Sequence, residues 1–100
     1  MNKKLEREYQ KETHYMEVAE SVASLSYCKR KQVGAVLVRD ERIMMTGRNG
    51  TLPGLCNDCE EEVNGELITK DTVLHAEQNL LLQCLKQGVP TEGATMFLTL

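Results

Sequence analysis

The sequence at residues 73–77 is Val73-Leu74-His75-Ala76-Glu77. It begins a predicted helix that runs to Gln87, because leucines recur at helical spacing and Gly88 supplies a stop signal. The apolar positions of this helix are Leu74, Leu81, Leu82 and Leu85. His75 and Glu77 fall in the first turn and point about 200° apart around the axis, so they need not bind one metal together. A neutral imidazole can bind Zn²⁺ while a carboxylate that is not a ligand moves protons; the alternative is an ordinary surface helix.

Size and charge limit the functions that this chain can have. One hundred residues predict one small domain, and the net charge of −3 argues against binding a polynucleotide. No apolar run reaches membrane-spanning length, and the first residues lack the apolar segment of a signal peptide, so a cytoplasmic protein without a membrane partner is expected. In a reducing compartment, the four cysteines are expected to be thiols or metal ligands rather than disulfide partners. They are Cys28, Cys56, Cys59 and Cys84.

The first half of the chain predicts a helix followed by a hairpin. Residues 1–12 are mostly charged or polar and predict a flexible tail or a helical extension, and Thr13 is the predicted N-cap of an amphipathic helix over 14–25. The apolar run 33–38 predicts a buried strand, and Asp40-Glu41 turns it into a second strand over 42–46. Gly34 in the first strand indicates a bulge, the close approach of a ligand, or the close packing of a helix.

Two loops carry candidate binding residues. Residues 47–54 have turn chemistry throughout, and Asn49 within them offers a donor and acceptors for a substrate hydroxyl or base edge. Equally, Asn49 satisfies backbone groups of its own loop. The basic cluster Lys29-Arg30-Lys31 could bind one phosphate.

The cysteine pair Cys56-x-x-Cys59 is a half-site for zinc, to which Cys28 could add a third thiolate; the alternative is three unrelated cysteines. The glutamates at 60–62 indicate a solvated face, and residues 63–71 a polar excursion before the helix. Cys84 lies about 13 Å along the helix from His75, so it is expected to be a core thiol rather than a ligand of the same metal. Residues 94–100 predict a third strand, parallel to one of its neighbours after a crossover.

Four motifs occur in order along the chain. They are Val33-Gly34-Ala35-Val36, the loop Gly47-Arg48-Asn49-Gly50-Thr51-x-Pro-Gly54, His75-Ala76-Glu77-x-Asn79 and Glu92-Gly93-Ala94-Thr95-Met96. Together they resemble a deoxycytidylate (dCMP) deaminase of the phage and bacterial type, in the cytidine deaminase-like superfamily. The resemblance implies an α/β fold, a three-layer α/β/α sandwich with a mixed sheet. Residues 1–100 would form a single partial domain, the N-terminal part of that fold: helix, hairpin, helix and strand.

The resemblance also implies roles for particular residues. His75 matches the catalytic zinc ligand, Glu77 the residue that shuttles protons, and Asn49 a contact to the sugar of the nucleotide. Cys28, Cys56 and Cys59 resemble positions that hold a second, structural zinc in some members. The implied reaction is zinc-dependent hydrolysis of dCMP to dUMP, in a homo-oligomer, hexameric in many members. Its implied effectors are dCTP, which activates, and dTTP, which inhibits, with Mg²⁺ accompanying the nucleotide effector.

Two departures from the family pattern affect these expectations. The family commonly has Tyr at the position of Arg48, and relatives continue past Leu100 into Ser-Pro-Cys-x-x-Cys, whose cysteines are the other two zinc ligands. We therefore expect residues 1–100 to be the N-terminal portion of a deaminase and inactive alone. The alternatives are a non-catalytic fragment with a structural or regulatory role, and a deaminase of another cytosine or adenine substrate, such as a tRNA base or a free nucleoside.

Overall fold

The computed structural model describes residues 2–52 and 54–100. The helices are α1 (Lys3–Ala23) and α2 (Ala76–Gln87); the strands are β1 (Gly34–Arg39), β2 (Arg42–Arg48), β3 (Glu60–Val63), β4 (Glu66–Thr69) and β5 (Thr95–Leu98). Met1 of the predicted N-terminal extension and the proline at 53 of the predicted loop motif lie outside the described residues.

Helix α1 is continuous through the segment in which the sequence predicted a boundary. The side chain of Asn2 caps it by accepting a hydrogen bond from the backbone nitrogen of Leu5 at 2.9 Å. The prediction of Thr13 as the N-cap was therefore wrong, and for residues 3–12 the helical extension is confirmed. The glutamates, lysines and glutamine of this segment are good helix formers, so nothing interrupts the helix before its buried face begins at Tyr15.

Strand β1 is the centre of a three-stranded sheet with the order β2-β1-β5. Its residues 35–38 are buried on both faces, because α1 covers one face of the sheet and α2 covers the other. Tyr15 and Ala19 of α1 pack with Val36 and Val38. Ala76, Leu80 and Cys84 of α2 pack with Ala35 and Leu37. These layers confirm the predicted α/β/α arrangement.

Strand β5 runs antiparallel to its neighbour β1, with Val36 opposite Phe97. The prediction that this strand is parallel to a neighbour was wrong. Strands β2 and β5 do run in the same direction, since each is antiparallel to β1, but β1 lies between them. The connection through α2 therefore joins two strands that are not hydrogen-bonded to each other.

Gly34 lets helix α1 pack directly against the sheet. A Cβ atom at this position would lie 2.0 Å from the carbonyl oxygen of Ala19 and 2.6 Å from the nitrogen of Ala23. Among the three alternatives, the structure therefore supports close helix packing, and the register shift of the hairpin lies elsewhere, between Leu37 and Val38. The Asp40-Glu41 turn between β1 and β2 is confirmed.

The buried face of α2 differs from the predicted one. Ala76, Leu80 and Cys84 face the sheet, whereas Leu81, Leu82 and Leu85 are 45%, 44% and 81% exposed. The backbone of α2 approaches β2 closely on the side of Ala76 and Leu80: a Cβ on Gly47 would lie 2.7 Å from the Ala76 carbonyl oxygen and 2.7 Å from the Leu80 Cβ. Cys84 is the predicted core thiol, and burial raises its pKa.

A second hairpin occupies the segment predicted to be an excursion without strands. Strands β3 and β4 pair through a turn at Asn64-Gly65, where both residues have positive φ. Asn-Gly between two short strands is a strong hairpin signal that the acidic composition obscured. Both strands are largely exposed and pack mainly against each other.

Candidate active site

A cleft of about 430 Å³ lies at the start of α2. Its lining includes His75, Glu77, Asn49, Arg30, Lys31 and Glu60. His75 is the N-cap residue of α2 and not, as predicted, a residue of its first turn, and its backbone nitrogen donates to Oε1 of Gln78 at 2.9 Å. The residue is exposed. Glu77 is half-buried in the first turn. The structure thus brings the predicted metal ligand and the predicted acid–base residue to the same cleft.

The loop after β2 is fixed to the start of α2. The backbones of Gly50 and Leu74 exchange two hydrogen bonds, at 2.8 Å and 3.1 Å. The side-chain amide of Asn79 donates to the carbonyl oxygen of Arg48 at 2.8 Å, and it lies 3.5 Å from that of Gly50. The sequence motif contained Asn79 without showing this role, since its partner is a backbone group about thirty residues away.

Asn49 uses both ends of its side chain on the backbone of the neighbouring segment. Its Oδ1 accepts from the nitrogen of Val33 at 2.9 Å, and its Nδ2 donates to the carbonyl oxygen of Lys31 at 2.7 Å. Asn49 therefore satisfies backbone groups, but these belong to residues 31 and 33, whereas the alternative had predicted groups of its own loop. Each end of an amide retains further hydrogen-bonding capacity toward the cleft.

The basic segment at 29–31, which Asn49 holds at Lys31, is also held at its N-terminal end. Ser26 is buried, accepts from the nitrogen of Cys28 at 3.2 Å and donates to the carbonyl oxygen of Asn49 at 2.9 Å. The Glu60 carboxylate accepts from the backbone nitrogens of Lys29 and Arg30. Neither Ser26 nor Glu60 was predicted as a site residue, because a single serine and one member of an acidic run carry no specific sequence signal.

The cysteines do not form the predicted three-thiolate site. Cys28 and Cys59 are joined as a disulfide, so the prediction that the cysteines are thiols or metal ligands rather than disulfide partners was wrong for this pair. Cys56 is exposed, and its sulfur donates to a carboxylate oxygen of Asp58 at 3.5 Å. The spacing of Cys56 and Cys59 predicted that these two sulfurs act together, whereas the structure joins Cys59 to Cys28, which is 31 residues away in the sequence.

The described residues do not make a complete metal site around His75. Among residues 2–52 and 54–100, no group of three or more His, Cys, Asp or Glu side chains is placed to hold a metal ion. A catalytic zinc typically has three protein ligands, so His75 would be one ligand of a site that these residues do not complete.

Arg48, the departure from the family pattern, lies beside a second cleft of about 340 Å³. Its side chain is exposed, while its carbonyl oxygen accepts the bond from Asn79. The anchoring of the loop therefore depends on the Arg48 backbone and tolerates a change of side chain.

Neither described helix could span a lipid bilayer.

Comparisons with known proteins agree on one family. The family model described as the cytidine and deoxycytidylate deaminase zinc-binding region matches residues 9–100. ComE operon protein 2 of Bacillus subtilis (strain 168) is 40% identical over 89 residues, and deoxycytidylate deaminase of Mycobacterium phage D29 is 33% identical over 97 residues. Each alignment covers 86% of this chain, with 46% of the first relative and 74% of the second.

A solved structure matches the fold as well as the sequence. Deoxycytidylate deaminase of the cyanophage S-TIM5, in complex with dCMP and dUMP, superposes with a TM-score of 0.75 at 36% identity. The match covers 99% of this chain and 67% of that chain. The chain spans about half the length of ComE operon protein 2 and about two thirds of the cyanophage enzyme. With a family match over residues 9–100 and this superposition, the chain belongs to the cytidine and deoxycytidylate deaminase family and resembles its phage-type dCMP deaminases.

Proposed function

We propose that this chain binds dCMP and supplies the acid–base residue for its hydrolytic deamination to dUMP. The observation that carries the proposal is the cleft at the start of α2, which His75, Glu77 and Asn49 line together with two basic residues. The similar cyanophage enzyme was solved in complex with dCMP and dUMP, which supports this substrate over a tRNA base or a free nucleoside.

Glu77 is the proposed proton carrier. Hydrolysis at C4 of cytosine requires that the attacking water give one proton to the ring nitrogen N3. The hydroxyl thus formed on C4 must then give its remaining proton to the amine, which leaves as ammonia while the C4 carbonyl forms. One half-buried carboxylate at the cleft can serve each transfer in turn. An amide of the same shape can serve none of them.

The proposed contacts to the nucleotide follow the lining of the cleft. Asn49 faces it with the hydrogen-bonding capacity that its two backbone bonds leave free, which suits a sugar hydroxyl. Arg30 and Lys31 supply positive charge, which suits the 5′-phosphate. A nucleotide is thus favoured over a nucleoside, while the net charge of −3 disfavours a polynucleotide.

The zinc proposals rest on the family description, which names a zinc-binding region. His75 would be one ligand of the catalytic zinc, and two further ligands would come from outside the described residues. We accordingly propose that residues 1–100 are inactive alone, with a structural or regulatory role as the alternative. A second, structural zinc at Cys28, Cys56 and Cys59 requires the reduced form of the pair that the structure joins as a disulfide.

Further proposals concern assembly and control. The exposed leucines 81, 82 and 85 of α2 would give a homo-oligomer, such as a hexamer, an apolar contact surface. The family resemblance also supports control by dCTP and dTTP, with Mg²⁺ accompanying the nucleotide effector. It supports a cytoplasmic location as well.

The test is Glu77→Gln in the natural protein that carries this sequence. We expect dCMP affinity to be retained while kcat falls by about 10²–10⁴, the range for losing a general acid–base group. Formation of dUMP and binding of dCMP are measured on the same preparation, and Glu92→Gln, at an exposed glutamate outside the cleft, is the control. A near-normal kcat in Glu77→Gln would end the catalytic assignment. In a parallel assay, the isolated 100-residue chain supplied with zinc should form no dUMP.

A further inference from the structure

Glu60 is the first residue of β3, and its carboxylate reaches across to the loop that follows α1. Its Oε2 accepts from the backbone nitrogen of Lys29 at 3.0 Å and from that of Arg30 at 3.1 Å, and its Oε1 lies 3.2 Å from the Lys29 nitrogen. Hydrogen bonds from two successive amides to one carboxylate fix both the position and the orientation of a loop.

The neighbouring residues strengthen this connection. Cys28 precedes the two amides and is bonded to Cys59, which precedes Glu60, so the loop and the base of the hairpin meet at two adjacent points. Both cysteine residues are buried, with Cys28 4% and Cys59 1% exposed. The hairpin beyond this base packs mainly against itself and adds little to the core. The base of the hairpin therefore serves mainly to hold the segment 29–31 in place.

That segment forms one wall of the cleft. Arg30 and Lys31 line it with His75 and Glu77, and Asn49 holds the far end of the segment through the Lys31 carbonyl oxygen. Glu60 and Asn49 therefore form hydrogen bonds to the two ends of this short basic segment. The guanidinium of Arg30 donates to Oγ1 of Thr69 at 3.4 Å, and the basic side chains are long, so their position also depends on how firmly the backbone beneath them is fixed.

We propose that Glu60 is a positioning residue: through the amides of Lys29 and Arg30 it holds the basic wall of the cleft in place for the phosphate of a nucleoside monophosphate. This rests on the proposed function for the identity of the nucleotide. The direction in which nucleotide affinity changes when Glu60 is removed distinguishes this positioning role from simple electrostatic repulsion. A carboxylate beside a phosphate site repels the phosphate, so if its charge were its only influence, removing Glu60 would tighten binding. If it positions the wall, removing it weakens binding.

The experiment compares dCMP with deoxycytidine, which lacks the phosphate, by calorimetric titration of the purified protein. Glu60→Ala should raise the Kd for dCMP about tenfold, the equivalent of one good charged contact, and should leave the Kd for deoxycytidine within about twofold. Glu60→Gln, which keeps one acceptor, should fall between wild type and Glu60→Ala. The matched control is Glu61→Gln, which removes the same charge from the exposed neighbouring residue and should change neither Kd. Unchanged or tighter dCMP binding, or equal weakening of both ligands, would overturn the proposal.

Amide exchange provides a readout that does not depend on dCMP. The amides of Lys29 and Arg30 should exchange faster in Glu60→Ala than in Glu61→Gln, and unchanged exchange would contradict the proposal. If the wild type binds neither dCMP nor deoxycytidine, the proposed function fails, and the same variants are titrated with inorganic phosphate. Positioning then stands only if Glu60→Ala loses both phosphate binding and amide protection, and it is refuted if either persists.

Discussion

The two hairpins of this chain reach similar backbone geometry by opposite means. The β1–β2 hairpin turns at Asp40-Glu41, where two non-glycine residues adopt φ of 51° and 62°, yet β1 is buried between two helices. The β3–β4 hairpin turns at Asn64-Gly65, the favoured pair for such a turn, yet its strands are exposed. Packing overrides poor turn chemistry in the first hairpin, and good turn chemistry with a tethered base replaces packing in the second.

The comparison separates global from local stability. Residues that pack between layers stabilise the whole molecule, because losing them exposes the shared core. Residues of a hairpin that packs mainly on itself stabilise only that hairpin, which can open while the rest stays folded. Matched glycine substitutions, one in each hairpin, test this difference.

Gly34→Ala should have the largest effect on stability. The new methyl would lie 2.0 Å from a backbone oxygen of α1, and a backbone atom cannot move aside as the end of a side chain can. We expect a loss of about 4 kcal/mol or more in the free energy of unfolding, measured by urea denaturation. The control is Gly50→Ala, where nothing lies within 4 Å of the added Cβ. Equal stability of the two variants would show that α1 does not pack on β1 as described.

Gly65→Ala should have a smaller and purely local effect. Because Gly65 has a φ of 82°, an L side chain there destabilises the local backbone conformation by about 1–2 kcal/mol. This strain is confined to the β3–β4 hairpin and does not disturb the three-stranded sheet. Amides of β3 and β4 should therefore exchange about tenfold faster while the global unfolding midpoint stays the same. Gly65→Asn, which tolerates positive φ better, should be nearly neutral. A global loss of stability comparable to that of Gly34→Ala would break the distinction between the two hairpins.

The smallest effect concerns the ion pair between Lys11 of α1 and Glu41 in the first turn. Lys11 lowers the pKa of Glu41 below its ordinary value of 4.5, and Glu41 raises the pKa of Lys11 above 10.5. Stabilisation by the pair is therefore present at neutral pH, is lost as pH falls through the lowered pKa of Glu41, and is lost again as pH rises through that of Lys11. Because Glu41 is solvent-exposed and Lys11 is partly exposed, salt should weaken the pair further.

A comparison of wild type with Glu41→Gln measures this pair. The difference in thermal midpoint should be greatest near neutral pH and should shrink in acid and at high salt. A difference that grows in acid would contradict the assigned direction of the Glu41 pKa.

Sequence patterns predicted the elements whose signal is local. The buried strand, the first hairpin and the stop of α2 at Gly88 appear within two residues of where the pattern placed them. The start of α2 differs, since the helix begins at Ala76 rather than Val73 and His75 is its N-cap. Two predictions failed because they depended on relations between distant residues. The buried face of α2 depends on the close approach of its backbone to Gly47. The direction of β5 relative to its neighbour depends on which strand it joins, β1 rather than β2.

The same distinction applies to the site. His75 and Glu77 are close in sequence, so a short motif predicted them together. Asn79, Ser26 and Glu60 act on backbone groups that are about twenty to thirty residues away, and no local pattern marks them. The disulfide was mispredicted because the expected reducing compartment, rather than geometry, decided the expectation.

The tethered hairpin has a consequence for how this chain could change in length. Its base, at Cys59 and Glu60, is bound to the loop beside the cleft. At its tip, residues 64 and 65 are exposed, and nothing lies within 4 Å of a Cβ added to Gly65. Insertions at such a tip cost little, because they add exposed residues without moving buried ones. The tip is thus a natural place for a fluorescent reporter, an epitope or an added segment, and such a graft would be anchored a few residues from the basic wall of the cleft.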